Sequence, residues 1–159
     1  MNAKLGAQSE AQINISPAAL ADAADIQGLT GELGYASTEA QTLDWLSAML
    51  ESPGYGVFVA RSVGDGTISR TVGWVVVECR LSLETGYKAE ITGLVVSASH
   101  RRLGIGEALV ARALQWSDAQ GLDTVIVRSN VNRDASHHFY RALGFSLSKT
   151  SHVYQLALS

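Results

Sequence analysis

The stretch "HRRLGIGEALVARAL", residues 100–114, decides how the chain is read. A strand-like run ends at Val96, and an amphipathic helical pattern begins directly after Gly104-x-Gly106. Between them, residues 101–106 pack two arginines and two glycines into six positions. Glycine lets a ligand approach main chain that a Cβ would shield, and the first turn of a helix presents N–H groups without intrahelical acceptors at the positive end of its dipole. Such a place binds phosphate, and arginines add charge that can lie along a pyrophosphate. The lysine and Ser/Thr of a nucleotide-triphosphate loop are absent, because Glu107 and Ala108 follow Gly106. A dinucleotide fingerprint fails as well, since Leu109 stands where its third glycine belongs. On these residues alone, a turn that only tightens a strand-to-helix connection stays open beside the anion cradle.

Upstream, residues 1–11 lack periodicity and read as a flexible tail, leaving 12–159 as one domain. "INIS" is a short first strand. Pro17 precedes a helical face through Leu20, Ala24 and Ile26, with Gly31 and Gly34 as breakers. Leu43, Leu46 and Leu50, at i, i+3, i+7, predict a second helix over Glu39 to Glu51, which Ser52-Pro53-Gly54 ends. Three strands follow, "YGVFVAR", "RTVGWVVVECRL" and "YKAEITGLVV", with Gly64-Asp65-Gly66 and "SLETG" as the turns of an antiparallel meander. Downstream come a helix to about Gln120, the strand "DTVIVRS", a helix over Asp134 to Leu143 stopped by Gly144, and a closing strand "HVYQLAL". This order predicts a mixed α+β sheet with helices on its faces.

Composition narrows the function classes. With 159 residues and 47% apolar content the chain can bury a sizeable core. Its apolar runs are too short to span a bilayer, so a cytoplasmic protein without a membrane role is expected. One cysteine, Cys79, excludes an internal disulfide framework, and no Cys/His/carboxylate cluster stands at metal-ligand spacing. A mildly acidic balance, net charge -3, with no basic stripe argues against nucleic-acid binding. The charge is uneven: residues 1–90 hold eleven acidic and five basic side chains, residues 91–159 four and seven. That asymmetry suits an anionic cofactor on the C-terminal half and a cationic substrate on the N-terminal half, and ordinary solvated faces produce it as readily.

"NRDASHHFYRALGF", residues 132–145, supplies the second motif. Together with residues 101–106 it resembles the GNAT family of acyl-coenzyme A-dependent N-acetyltransferases, in the right order and about 30 residues apart. The resemblance implies a central, mostly antiparallel sheet splayed at its parallel pair. It implies that Arg101, Arg102, Leu103, Gly104, Ile105 and Gly106, with Glu107, carry the coenzyme A pyrophosphate, and that Asn132 matches the asparagine before the later helix. Leu94, Val95 and Val96 would offer backbone groups to the pantetheine arm and the thioester carbonyl. The chain departs from the family at Ala98, His100 and Arg102, where proline, an aromatic and glycine are frequent, which bears on loop rigidity.

The implied activity moves acetyl from acetyl-coenzyme A to a primary amine by direct attack in a ternary complex, with no metal. Tyr140 matches the family's helix tyrosine, which protonates the departing thiolate; a phenol can donate at neutral pH. Glu90 is the first choice of base, through water, with a purely structural glutamate equally open, and Gly93 allows a bulge that splays its strand. Some relatives place the base where this chain has Ile126. His137 or His138 could serve near neutral pH, though adjacent residues cannot both face a site. Glu32, Glu39, Asp44 and Glu51 lie where the resembled fold flanks its acceptor cleft, which suits a small cationic amine; a peptide or protein amine is the enzymatic alternative. A non-catalytic acyl-coenzyme A-sensing module is the rival of another class, disfavoured by Tyr140. Pairing of terminal strands into a homodimer is open.

Overall fold

The computed structural model describes residues 12–64 and 69–159. The tail 1–11 and Asp65-Gly66 of the first hairpin turn lie outside the described residues. The chain forms two units that divide between Val127 and Arg128.

The first unit holds a five-stranded sheet in the order β1-β2-β3-β4-β5, formed by Gln12–Pro17, Tyr55–Val63, Arg70–Ser82, Gly86–Val96 and Val125–Val127. The first four are antiparallel neighbours, and β5 pairs parallel to β4. Helices α1 (Ala23–Glu32) and α2 (Glu39–Glu51) precede β2, and α3 (Ile105–Ala119) follows β4. The central strands are buried on both faces, which is why Val57 to Ala60 and Val75 to Val77 read as continuous apolar runs rather than alternating ones. Val57, Val59 and Val76 pack with Ala23, Ile26 and Leu46 in the core beneath α1 and α2. On the opposite face, Phe58 lies under the guanidinium of Arg112 of α3, 4.2 Å from the ring centroid.

Packing decides the faces of α1 and α2. α1 runs through Gly31 and ends before Gly34, whose φ is +87°. A 3-10 turn, Leu20–Asp22, precedes it, and Ala23, Ile26 and Leu29 are its buried residues. α2 begins where Thr38 caps the amide of Gln41 while the Gln41 side chain accepts from Thr38 N. It turns Thr42 and Leu46 inward and leaves Leu43 and Leu50 exposed. Of the three leucines that mark this helix only Leu46 is buried, because Trp74 and the valines beneath α2 choose which stripe docks.

The start of α1 is tied to the sheet by Asp22. Its carboxylate accepts from Ala19 N (2.7 Å), Thr71 Oγ1 (2.7 Å), and Arg61 Nη2 (2.6 Å) and Nε (3.3 Å). Burial by itself would raise its pKa; these bonds and the charge of Arg61 outweigh that and hold it below the ordinary value.

In the second unit α4 spans Asp134–Ala142 and stops at Gly144, φ +94°. Within this unit residues 146–159 carry no strand of their own, where the sequence predicts the closing strand "HVYQLAL". A β-strand exists only through ladder partners, which a favourable side-chain pattern does not supply. The expected strand "DTVIVRS" shrinks to Val125–Val127 for the same reason, since β4 offers it three paired positions. Among the described residues no helix is long and apolar enough to cross a membrane.

Candidate active site

The backbone of the connection from β4 to α3 explains its residues. Gly104 is the N-cap of α3 with φ +77° and has no side-chain cap bond; the first helical bond runs from Ala108 N to Gly104 O at 3.0 Å. The amides of Ile105, Gly106 and Glu107 therefore precede the first intrahelical donor and stand at the positive end of a 15-residue helix. A Cβ on Gly104 would meet no protein atom within 4 Å, so the positive φ is what requires glycine there. Arg102 also has a positive φ, +63°, at the position where the GNAT pattern often has glycine. That conformation costs a non-glycine residue on the order of 1 kcal/mol.

Side chains divide by role. Ile105 is buried in the core, so it can serve a ligand only through its main chain. Arg101, Arg102, Leu103 and Glu107 are exposed around the turn. The preceding segment is pinned from α1: Ala98 N donates to Glu32 Oε2 at 3.1 Å. Glu32 thus stabilises this loop, a role the sequence reading did not give it.

β4 carries the bulge expected near Gly93. Val76 pairs with Gly93 and Val77 with Ile91, leaving Thr92 as the extra residue. Directly paired residues share a face, so the extra residue brings Glu90 to the same face as Gly93 and Val95. Gly93 has a packing reason as well: a Cβ there would sit 2.5 Å from Cζ3 of Trp74, whose ring lies against the bulge. Parallel pairing with β5 stops at Ile91–Val127, so residues 92–96, including Leu94, Val95 and Val96, have no ladder partner on that side among the described residues. This is the expected splay.

Glu90 is 4% exposed and sits beside Ile126 in the parallel register. Its Oε2 accepts from Arg80 Nη1, and Arg80 Nε lies 3.9 Å from Glu78 Oε1. The hydrogen bond to Glu90 and the charge behind it push the Arg80 guanidinium above its ordinary value. Arg80 was not found from sequence. The hairpin turn sets the register that pairs Glu78 with Glu90, and only that register shows an arginine two residues on as their shared counter-ion.

In the second unit, Tyr140 lies edge-on to Phe139 and Phe145, with ring centroids 5.1 and 5.6 Å away. Burial raises its phenol pKa above the ordinary 10.0, so the proton is held throughout the neutral range. Asn130 organises the turn before α4, a role the sequence reading missed. Its side-chain oxygen accepts from Asn132 N (2.9 Å), and its carbonyl accepts from Arg133 N (3.0 Å) and from His137 Nε2 (2.9 Å). With Nε2 as donor, His137 serves the turn rather than proton abstraction at that nitrogen. His138 is exposed.

A bulged strand with one open edge leads to a glycine-capped helix whose first-turn amides have no intrahelical acceptor, an arrangement suited to an anion. Residues 25–145 match the model of the acetyltransferase (GNAT) family, and the chain belongs to that family. The rice (Oryza sativa subsp. japonica) acetyl transferase GW6a is 34% identical over 101 residues, 58% of this chain and 24% of that protein. N-acetyltransferase family 8 member 3 of Rattus norvegicus is 38% identical over 56 residues, 35% of this chain and 25% of that protein. The chain thus spans about a quarter of the length of these relatives. The aminoglycoside N-acetyltransferase AAC(6')-Iy, solved in complex with CoA, shares the fold with a TM-score of 0.82 at 18% identity, over 96% of this chain and 99% of that one.

Proposed function

We propose that residues 12–159 act as one N-acetyltransferase domain that moves the acetyl group of acetyl-coenzyme A to a primary amine by direct attack in a ternary complex. The observation that carries this reading is the bulged, one-sided end of β4 connected through residues 97–104 to the open amides of α3. Bound acetyl-coenzyme A would supply an activated acyl group on a thiolate leaving group. The amides of Ile105, Gly106 and Glu107, with Arg101 and Arg102, would hold its pyrophosphate, with Leu103 and Gly104 shaping the turn. Leu94, Val95 and Val96 would pair their free backbone edge with the amide-bearing arm. Asn132 is assigned to the cofactor by its match to the family motif.

Glu90 accepts the proton released by the attacking amine, through water, as the C–N bond forms and the C–S bond breaks. Its ion pair with Arg80 compensates the buried carboxylate. Tyr140 donates its phenolic proton to the departing sulfur and recovers it from solvent. The raised pKa of Tyr140 supports the acid role, because a protonated phenol is required at neutral pH. The acceptor is a small-molecule amine, as the name of the fold neighbour suggests for that enzyme; peptide and protein amines are the alternative. The exposed apolar segment Val153–Leu158 supports pairing of two copies into a homodimer.

Tyr140→Phe tests the mechanism. It should bind acetyl-coenzyme A as the parent does in titration calorimetry and lose at least about 100-fold in kcat, the range for general acid catalysis, in a thiol-release assay with a panel of amines. Parent-level turnover would remove Tyr140 from the mechanism. Tight cofactor binding without acetylation of any small or peptide amine by the parent would favour the sensing module.

A further inference from the structure

Between α1, α2 and the sheet lies a half-open cavity of about 160 Å³. Its walls include Ile26, Trp45, Leu46, Met49, Val57 and Trp74. No charged side chain lines it, and none of the four carboxylates expected to face an acceptor does so. Its hydroxyls are engaged locally: Thr30 Oγ1 donates to Ile26 O at 2.8 Å, and Ser37 and Thr42 face each other at 3.5 Å.

Position links this cavity to the reaction. Trp74 is both a cavity wall and the ring that lies against Gly93 at the bulge. It pairs with Val95, on the face that the bulge also gives to Glu90. The cavity therefore abuts the stretch of β4 assigned to the thioester. Its rim carries an aromatic side chain facing water, since Trp45 is 56% exposed. The indole N–H of Trp74 is buried without a partner among the described residues, so the wall holds one unspent donor.

Resting on the transferase reading, we infer that the acceptor amine carries an apolar group the size of a single ring, seated in the cavity bounded by Trp45, Met49 and Trp74. Three considerations converge. A volume of about 150 Å³ admits one benzene-sized molecule. Apolar walls gain from burying such a group in proportion to its area. A second ammonium in the same place would be desolvated with no carboxylate to meet it, which disfavours polyamines and polycationic aminoglycosides.

The test has two arms. In the first, initial rates of thiol release are measured with phenethylamine and benzylamine against spermidine and kanamycin at saturating acetyl-coenzyme A. The ring-bearing amines should exceed the polycations at least ten-fold in kcat/KM, and Trp45→Ala and Met49→Ala should each raise their KM several-fold while leaving the KM for acetyl-coenzyme A unchanged. Polycations matching or exceeding the ring-bearing amines would overturn the inference and leave the transferase reading standing. The second arm reads binding without turnover, as quenching of tryptophan fluorescence by phenethylamine in the presence of coenzyme A. Saturable quenching lost in Trp45→Ala supports the cavity assignment even if no amine is acetylated, in which case the transferase reading alone falls. Absence of saturable quenching in the parent overturns the inference.

Discussion

Replacing Asp22 by alanine should destabilise the first unit by about 3 kcal/mol, the low end for removing one partner of a buried ion pair. Asp22 has a side chain only 7% exposed and receives two neutral donors, Ala19 N and Thr71 Oγ1, besides the Arg61 guanidinium. The low end applies because Arg61 is 25% exposed and can turn toward water once its partner is gone. Asp22→Asn keeps an acceptor for Ala19 or Thr71 and should lose about half as much, near the roughly 1.5 kcal/mol of one charge-assisted hydrogen bond. Urea unfolding followed by tryptophan fluorescence reads the difference; 3 kcal/mol corresponds to a Tm lower by about 6–12 °C for a chain of this size. The pH dependence gives a second, independent signature. A carboxylate held below its ordinary value of 3.8 contributes stability that is present above that value and lost as pH falls toward the folded-state value. The parent should therefore converge on Asp22→Asn as pH is lowered from 5 toward 3. Equal stabilities of parent and Asp22→Ala at pH 7, or a gap that stays constant down to pH 3, would refute the account of this network.

Three further outcomes follow from the site. Gly104→Ala places a Cβ residue at φ +77°, so it should cost about 1 kcal/mol of stability and weaken acetyl-coenzyme A binding in calorimetry; unchanged affinity would move the cradle elsewhere. Tyr140 is raised above 10.0, so its ionisation should reduce kcat only above pH 10, and that alkaline limb should vanish from the residual activity of Tyr140→Phe. The same raised value gives stability that is complete below pH 10 and falls as pH rises through the folded-state value. Light scattering should show a dimer that Leu156→Lys converts to monomer, since a charge in the exposed apolar segment Val153–Leu158 opposes its burial between two copies; a monomeric parent would end that reading.

What could be read ahead of the fold follows from how locally each feature is determined. The turn into α3 was legible because its demands are met within a few residues: Gly104 must take a positive φ, and the helix must start without a side-chain cap. The bulge was legible at Gly93 for a reason the sequence does not display, since the contact that excludes a Cβ comes from Trp74, nineteen residues earlier. Faces were harder. The i, i+3, i+7 leucines of α2 gave the helix but not its docked stripe, because Leu43 and Leu50 yield to Thr42 when the partner surface is the Trp74 and Val76 side of the sheet. Arg80 and the closing segment failed from the same cause: counter-ions across a hairpin and partners for a terminal strand are properties of pairing.

The bulge at Thr92 shows how one inserted residue can set function. Without it, the alternation of β4 would put Glu90 on the α3 face, opposite Gly93 and Val95. With it, the buried carboxylate, the open backbone edge and the Trp74 wall of the apolar cavity come to one side of the sheet. Of the acidic residues that pointed from sequence to a cationic acceptor, Glu32 accepts from Ala98 N, and Glu39, Asp44 and Glu51 do not line that cavity. If the proposed seat for the acceptor holds, specificity follows the shape and apolar lining of the α1–α2 cavity rather than the charge of the N-terminal half.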